Sequence, residues 1–182
     1  MVSGASGVVG YSCLKALKSV NKYYLIGTSI YDSDVAKKFC DLFLMAPHTE
    51  SNNYLDWLGR IIIDYGIDLI IPGIEIDLYK WNKIRSRINE WGAKAVLNSS
   101  QLIELCQDKW FFYEKVKRID ESIWIPTILP CDYRVAKKIL GSEMVIKPRR
   151  GYGSIGVYYA SDEKEYIFYK KNDSIIQKKI FG

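Results

Sequence analysis

Short β-like runs alternating with amphipathic stripes constrain this chain more than any other feature. Residues 23–29, 43–46, 67–71 and 93–97 read as short strands. Between them lie helical stretches: 11–19, with Leu14 and Leu17 inward, and 54–65, with Leu55, Leu58, Ile61 and Ile62 on one face. A third helix is expected over 76–91. Gly66 and Gly92 stop two of these helices, and Pro72-Gly73 closes a strand. Repeated βα units of this kind predict a parallel, doubly wound sheet with helices on both faces. The apolar triplets Ile61-Ile62-Ile63 and Leu69-Ile70-Ile71 are far too short to span a bilayer, so no membrane partner is expected.

After Asn98-Ser99-Ser100 the texture changes. Ser100 suits the cap of a short helix over 101–106, and Asp108 the cap of another over 109–118. Then come Trp124-Ile125-Pro126-Thr127, a helix over 133–140, strands at 144–146 and 157–159, and a capping box, Asp162 with Glu165, opening a helix toward Lys171. A last strand is expected over 174–177. This order describes a small α+β domain, and the boundary is placed at Gln107: 1–107 in front, 108–182 behind.

Residues 144–157 carry the clearest chemistry. The run Met144-Val145-Ile146 delivers Lys147 to a loop holding Gly151, Gly153, Ser154 and Gly156, with Arg149 and Arg150 before the first glycine. Glycines let backbone N–H groups turn inward as an anion nest, and the cations add fixed charge. A polyphosphate such as ATP fits this pattern; an ordinary hairpin loop has the same residue types. No Gly-Lys-Ser/Thr opens a helix here, and a strand follows the glycines, so neither a P-loop nor a dinucleotide fingerprint is present. Charge agrees with phosphate: residues 1–108 carry 11 Lys/Arg against 12 Asp/Glu, residues 109–182 carry 15 against 9. Without a basic helix or arginine-rich tract, nucleic acid is not expected as a partner. The four scattered cysteines and single His48 offer no metal-ligand spacing; buried thiols in a reducing cytoplasm are expected, and no signal peptide is expected from the start at Val2-Ser3-Gly4.

Four features then stand in a fixed order: Asp108-Lys109 opening a helix, Trp124-Ile125-Pro126, Lys147-Pro148 with its glycine loop, and Ile175-Ile176-Gln177-Lys178-Lys179-Ile180-Phe181-Gly182. This order resembles the ATP-grasp superfamily, in particular the carbamoyl phosphate synthase large subunit and its single-module relatives. Ile70-Ile71-Pro72 and the spacing from Ser99-Ser100 to Asp108-Lys109 extend the resemblance into the front domain. It implies an α/β fold: a Rossmann-like parallel-sheet front domain followed by a partial α+β ATP-grasp subdomain. It also implies that Lys109 and Lys147 reach phosphate, that Gly151, Gly153, Ser154 and Gly156 close over it with Arg149 alongside, and that Gln177, Lys178 and Ile180 border the adenine. The implied cofactors are ATP and Mg²⁺, the implied substrate a small carboxylate activated as an acyl phosphate and attacked by an amine or other nucleophile. No catalytic residue is assigned.

Two departures qualify the match. Lys178 stands where the family carries an acid beside the adenine amino group; a backbone contact there tolerates the change, a side-chain contact does not. The sequence also stops at Gly182, before the Glu and Asn that hold Mg²⁺ in the family, so the chain alone is expected to be inactive and its Mg²⁺ ligands to lie elsewhere. A domain cut there would expose an apolar end and favour a homo-oligomer. Two other readings stay open. Gly4-Ala5-Ser6-Gly7-Val8-Val9-Gly10, with Tyr113, Lys117 and Ser100, matches an NAD(P)-dependent reductase or epimerase, although Ile26-Gly27-Thr28-Ser29 lacks the acid that holds an adenine ribose. A non-catalytic nucleotide-binding module is the other; it would leave the strand from Ile175 to Phe181 unpaired at the C-terminus. Glu75 and Asp77, after a strand end, suit a helix N-terminus or a ligand. The Trp110-Phe111-Phe112 cluster and Trp81 are expected to pack in a core or domain interface.

Overall fold

The computed structural model describes residues 1–120 and 122–180. Two compact units emerge, Met1–Ser99 and Ser100–Gly182, so the helix before Gln107 groups with the second.

The first unit runs α1 (Val8–Val20), β1 (Ile26–Ser29), α2 (Asp34–Lys37), β2 (Leu42–Met45), α3 (Tyr54–Asp64), β3 (Leu69–Ile70), α4 (Glu75–Lys83), α5 (Arg85–Glu90) and β4 (Lys94–Ala95). β1 pairs with β2 and β3 with β4, both in parallel. Val2 bridges in parallel to Gly27 and to Ile71, which places the start of the chain between β1 and β3. Neighbouring strand residues point to opposite faces. Ile26 and Ile70 join Leu58, Ile62, Trp81 and Ile88 in one buried cluster, whereas Leu25 and Ile71 pack with Leu14, Ala36 and Cys40 in another. Helices therefore cover both faces. The helix expected over 76–91 is two helices. At Ile84 the backbone leaves helical geometry (φ −120°, ψ 24°), and its N–H closes a tighter turn on the Trp81 carbonyl at 3.1 Å. Asn82 accepts a bond from Arg85 Nε at 2.8 Å, a local side-chain contact of the kind that competes with a continuous helix.

The second unit holds α6 (Ser100–Gln107), α7 (Lys109–Ile119), β5 (Thr127–Ile128), α8 (Tyr133–Leu140), β6 (Met144–Pro148), β7 (Tyr158–Ala160), α9 (Glu163–Tyr169) and β8 (Ser174–Lys178). Its sheet is antiparallel in the order β5-β8-β6-β7. One sheet face buries Met144, Ile146, Ala160 and Ile176 against Ala136, Leu140 and Tyr166 of α8 and α9. The unpaired terminal strand expected of a bare binding module is not found: β8 lies inside the sheet, bonded to β5 and to β6. Phe181 and Gly182, which end the strand motif, lie outside the described residues. Asp162 caps α9 through the Glu165 amide at 2.9 Å, but Glu165 reaches back to the N–H and hydroxyl of Ser161 rather than to the cap residue. Nor do Phe111 and Phe112 enter the core of their unit. They are 50% and 45% exposed, and α7 buries none of its residues.

Candidate functional site

The sheet of the second unit has a second face, set by register. Residues directly opposite one another in antiparallel strands share a face. Thr127 faces Gln177, Gln177 faces Val145, and Lys147 faces Ile175. Lys147 thus stands on the side away from α8 and α9, with Gln177 two residues along. Gln177 is fixed there by donating from Nε2 to Thr127 Oγ1 at 2.8 Å. A cavity of about 240 Å³ opens on this face. Lys147 and Gln177 line one side, while Lys109, Phe112 and Tyr113 of α7, with Ile123, Trp124 and Ile125, line the other. Two lysines and Gln177 are the polar members of an otherwise apolar and aromatic lining. Burial, and then the neighbouring Lys109 charge, hold the Lys147 ammonium below the usual lysine pKa. An ammonium in that position gains from an anionic ligand.

Asp108 ties this face to the glycine loop. Its side chain is only 2% exposed, and Oδ1 caps α7 by accepting from the Trp110 and Phe111 amides at 3.1 and 3.2 Å. The same carboxylate accepts from Arg149 Nε at 2.7 and 2.8 Å and meets Arg150 at 3.3 Å. Burial works to raise the Asp108 pKa, but the Arg149 bond and charge and the two cap amides outweigh it and hold the carboxyl below its ordinary value. Lys109 donates its backbone N–H to the Arg149 carbonyl at 3.0 Å and its ammonium to the Gly151 carbonyl at 2.8 Å.

Beyond this stem the loop runs through solvent. Gly151, Gly153 and Ser154 are exposed, and Gly153, Ser154 and Gly156 have φ of 62°, 59° and 77°. A side chain at Gly156 would meet Pro148 Cγ at 2.9 Å, so the return of the loop against Pro148 requires glycine. The structure therefore gathers Lys109, Lys147, Arg149 and the loop around the C-terminal end of β6, with Gln177 in the adjoining slot. Lys178 and Ile180 are exposed, and the Lys178 N–H is already donated to the Pro126 carbonyl at 2.9 Å. The Asp108–Arg149 pair escaped sequence reasoning: an N-cap Asp was legible, but a partner 41 residues away leaves no local mark.

In the first unit the Gly4–Gly10 turn is packed backbone to backbone. A Cβ at Gly73 would lie 2.1 Å from the Ser3 carbonyl oxygen, and one at Gly10 would lie 2.3 Å from that of Gly4. Close approach accounts for these glycines without a ligand. A cavity of about 230 Å³ beside them is lined by Ser6, Thr28, Ser29, Trp57 and Asp77, among others. Asp77 is buried there, accepting from Thr49 at 2.6 Å and Tyr54 at 2.8 Å. Burial, then Asp77, push the Tyr54 hydroxyl far above its ordinary pKa. In the second unit Tyr113 and Lys117 both engage Trp124, the ring at 5.4 Å and the ammonium at 5.1 Å, so this pair packs on an indole.

No protein-family model matches the sequence, and no curated protein matches it. Solved structures do. N5-carboxyaminoimidazole synthetase from Staphylococcus aureus, complexed with ADP, superposes with a TM-score of 0.69 at 18% identity, over 98% of this chain and 46% of that one. N5-carboxyaminoimidazole ribonucleotide synthetase from Thermotoga maritima gives 0.65 at 21%, over 98% and 45%. The biotin carboxylase domain of the Hydrogenobacter thermophilus 2-oxoglutarate carboxylase, in complex with MgADP, ADP and bicarbonate, gives 0.66 at 20%, over 98% and 44%. These are ATP-grasp enzymes, and the chain shares the fold of the portion of each that it covers. It spans about half the length of these structures.

Proposed function

We propose that this chain is the ATP-binding front portion of an ATP-grasp carboxylate ligase, with a Rossmann-like first domain and an arrangement like that of the carbamoyl phosphate synthase large subunit. The observation that carries this reading is the half-buried Lys147, which lines a largely apolar slot together with Lys109, whose ammonium also reaches the glycine loop at the Gly151 carbonyl. In this reading the adenine lies along the slot walled by Phe112, Tyr113, Ile125 and Gln177. The phosphates lie toward Lys109, Lys147 and the loop amides. The bound nucleotide supplies a transferable phosphoryl group to a carboxylate, and an amine or other nucleophile then attacks the acyl phosphate. Phosphoryl transfer asks a protein mainly for positioning and charge stabilisation, which two lysines and a glycine loop can provide.

Mg²⁺ is a hard ion that takes oxygen ligands. Among the described residues no group of three His, Cys, Asp or Glu side chains could hold a metal, and Asp108 is engaged by Arg149. The residues present do not fit that ion, and this reading takes its ligands from outside them.

Calorimetric titration of the chain with MgATP and separately with NADPH tests the reading. ATP should bind, and Lys147→Ala should abolish the heat. NADPH binding that is lost on substituting Gly7, with no response to ATP, would replace the ligase reading with the reductase one.

A further inference from the structure

Arg149 is the residue at which four parts of the second unit meet. Its N–H donates to the Asp173 carbonyl at 2.8 Å, ahead of β8. Its carbonyl accepts the Lys109 N–H at 3.0 Å, at the start of α7. Its guanidinium bonds both oxygens of Asp108 through Nε and lies 4.6 Å over the Phe111 ring. On its C-terminal side it leads into the glycine loop, and two residues before it stands Lys147. Charge-assisted bonds of this length, donated to a nearly buried carboxylate, are among the stronger polar contacts a protein makes. A guanidinium so engaged is held in one orientation by Asp108 through Nε, which suits a positioning role beside the phosphate-ligand role its charge suggests in the sequence. Lys109 differs: its ammonium reaches the Gly151 carbonyl of the loop, and a charged phosphate oxygen is a stronger acceptor than that neutral carbonyl.

We propose that Asp108 and Arg149 are positioning residues, an ionic clasp that sets Lys109 and Lys147 around the phosphate position, and that Lys109 exchanges the Gly151 carbonyl for a nucleotide phosphate when the ligand arrives. The inference rests on the nucleotide reading above. It assigns Arg149 to holding the site, and it makes release of Gly151 the event that couples phosphate arrival to the stem of the loop. No covalent step is involved: one hydrogen bond from Lys109 is exchanged for another.

Asp108→Asn separates the clasp from the helix cap, because asparagine caps helices as well as aspartate does but carries no charge for Arg149. The test compares Asp108→Asn, Arg149→Gln and the double variant for affinity toward ATP and toward adenosine. The clasp predicts about tenfold weaker ATP binding in each single variant, and no further loss in the double, as expected for partners in one interaction. Adenosine, which has no phosphate, should bind each variant as it binds the unmodified chain; a general loss of structure would weaken both ligands together. ATP affinity within twofold of the unmodified chain in Arg149→Gln, or parallel loss of adenosine, would overturn the proposal. Absence of ATP binding to the unmodified chain would sink the nucleotide reading and the exchange at Lys109 with it. The clasp is then read alone by amide hydrogen exchange. In Asp108→Asn the Lys109 amide should exchange faster while Val145 and Ile146 keep their protection, and unchanged exchange at Lys109 would overturn the clasp.

Discussion

Lys147 joins sequence, burial and chemistry at a single side chain. It sits on a strand whose alternate residues Met144 and Ile146 are buried against helices, so the pleat presents Val145 and Lys147 on the other face. There it is half-buried with Lys109 as a neighbour, and its pKa lies below the ordinary lysine value. Two consequences follow from the sign. The folded chain holds this proton less tightly than the unfolded chain, so the cost of the buried charge is present below the lowered pKa. That cost is relieved as pH rises from there toward the unfolded value of about 10.4. A bound polyphosphate reverses the balance by favouring the charged form. ATP affinity should therefore fall with rising pH earlier than an ordinary lysine would allow. In Lys147→Arg, whose guanidinium stays charged, that fall should disappear; titrations at pH 7, 8.5 and 9.5 would read it. An affinity that is flat with pH in both proteins would argue against phosphate contact at this residue.

Elements explain why the site is held where it is. β8 lies between β5 and β6, and its Gln177 is locked through Thr127. α7 adds little by burial and much by its polar N-terminus, where Asp108 joins cap and clasp. In the first unit the corresponding constraint is steric. β3 leads through Pro72 into Gly73, whose Cα faces the Ser3 carbonyl and Gly10 so closely that no side chain fits. Gly73→Ala should lower stability by about 2–3 kcal/mol or more, since overpacking against backbone cannot be relieved by a rotamer change. Chemical denaturation would show the loss as a lower midpoint. The same substitution at Gly66, where nothing lies within 4 Å of the would-be Cβ but φ is +56°, should cost less, on the order of 1 kcal/mol.

Across the whole chain, charge is distributed in step with this division of labour. Residues 109–182 carry 15 Lys/Arg against 9 Asp/Glu, out of a net charge of +5 for the full sequence. Such a field attracts polyanions and is screened within about 8 Å at physiological ionic strength. ATP affinity should decrease as potassium chloride is raised from low to molar concentration, and adenosine affinity should not. Equal salt dependence for both would place the ligand away from the basic half. None of the helices among the described residues is long and apolar enough to cross a membrane.

The amino-acid sequence by itself determined the elements whose signals are local. The α8 boundaries, the Asp108 cap, the strand bearing Lys147 and the stop at Gly66 follow from periodicity, capping chemistry and glycine, which act within a few residues. Residue types singled out Lys147 and the glycine loop as a candidate phosphate site, and the family resemblance added Lys109. Only the tertiary structure decided the rest. The break at Ile84 depends on where Asn82 and Arg85 find partners, and the interior place of β8 depends on pairings with strands that begin 30 and 47 residues earlier. The clasp joins residues 41 apart. Register, strand order and ion pairing are long-range choices among energetically similar alternatives. They are settled by the packing of the whole unit, and no short stretch of sequence carries their sign.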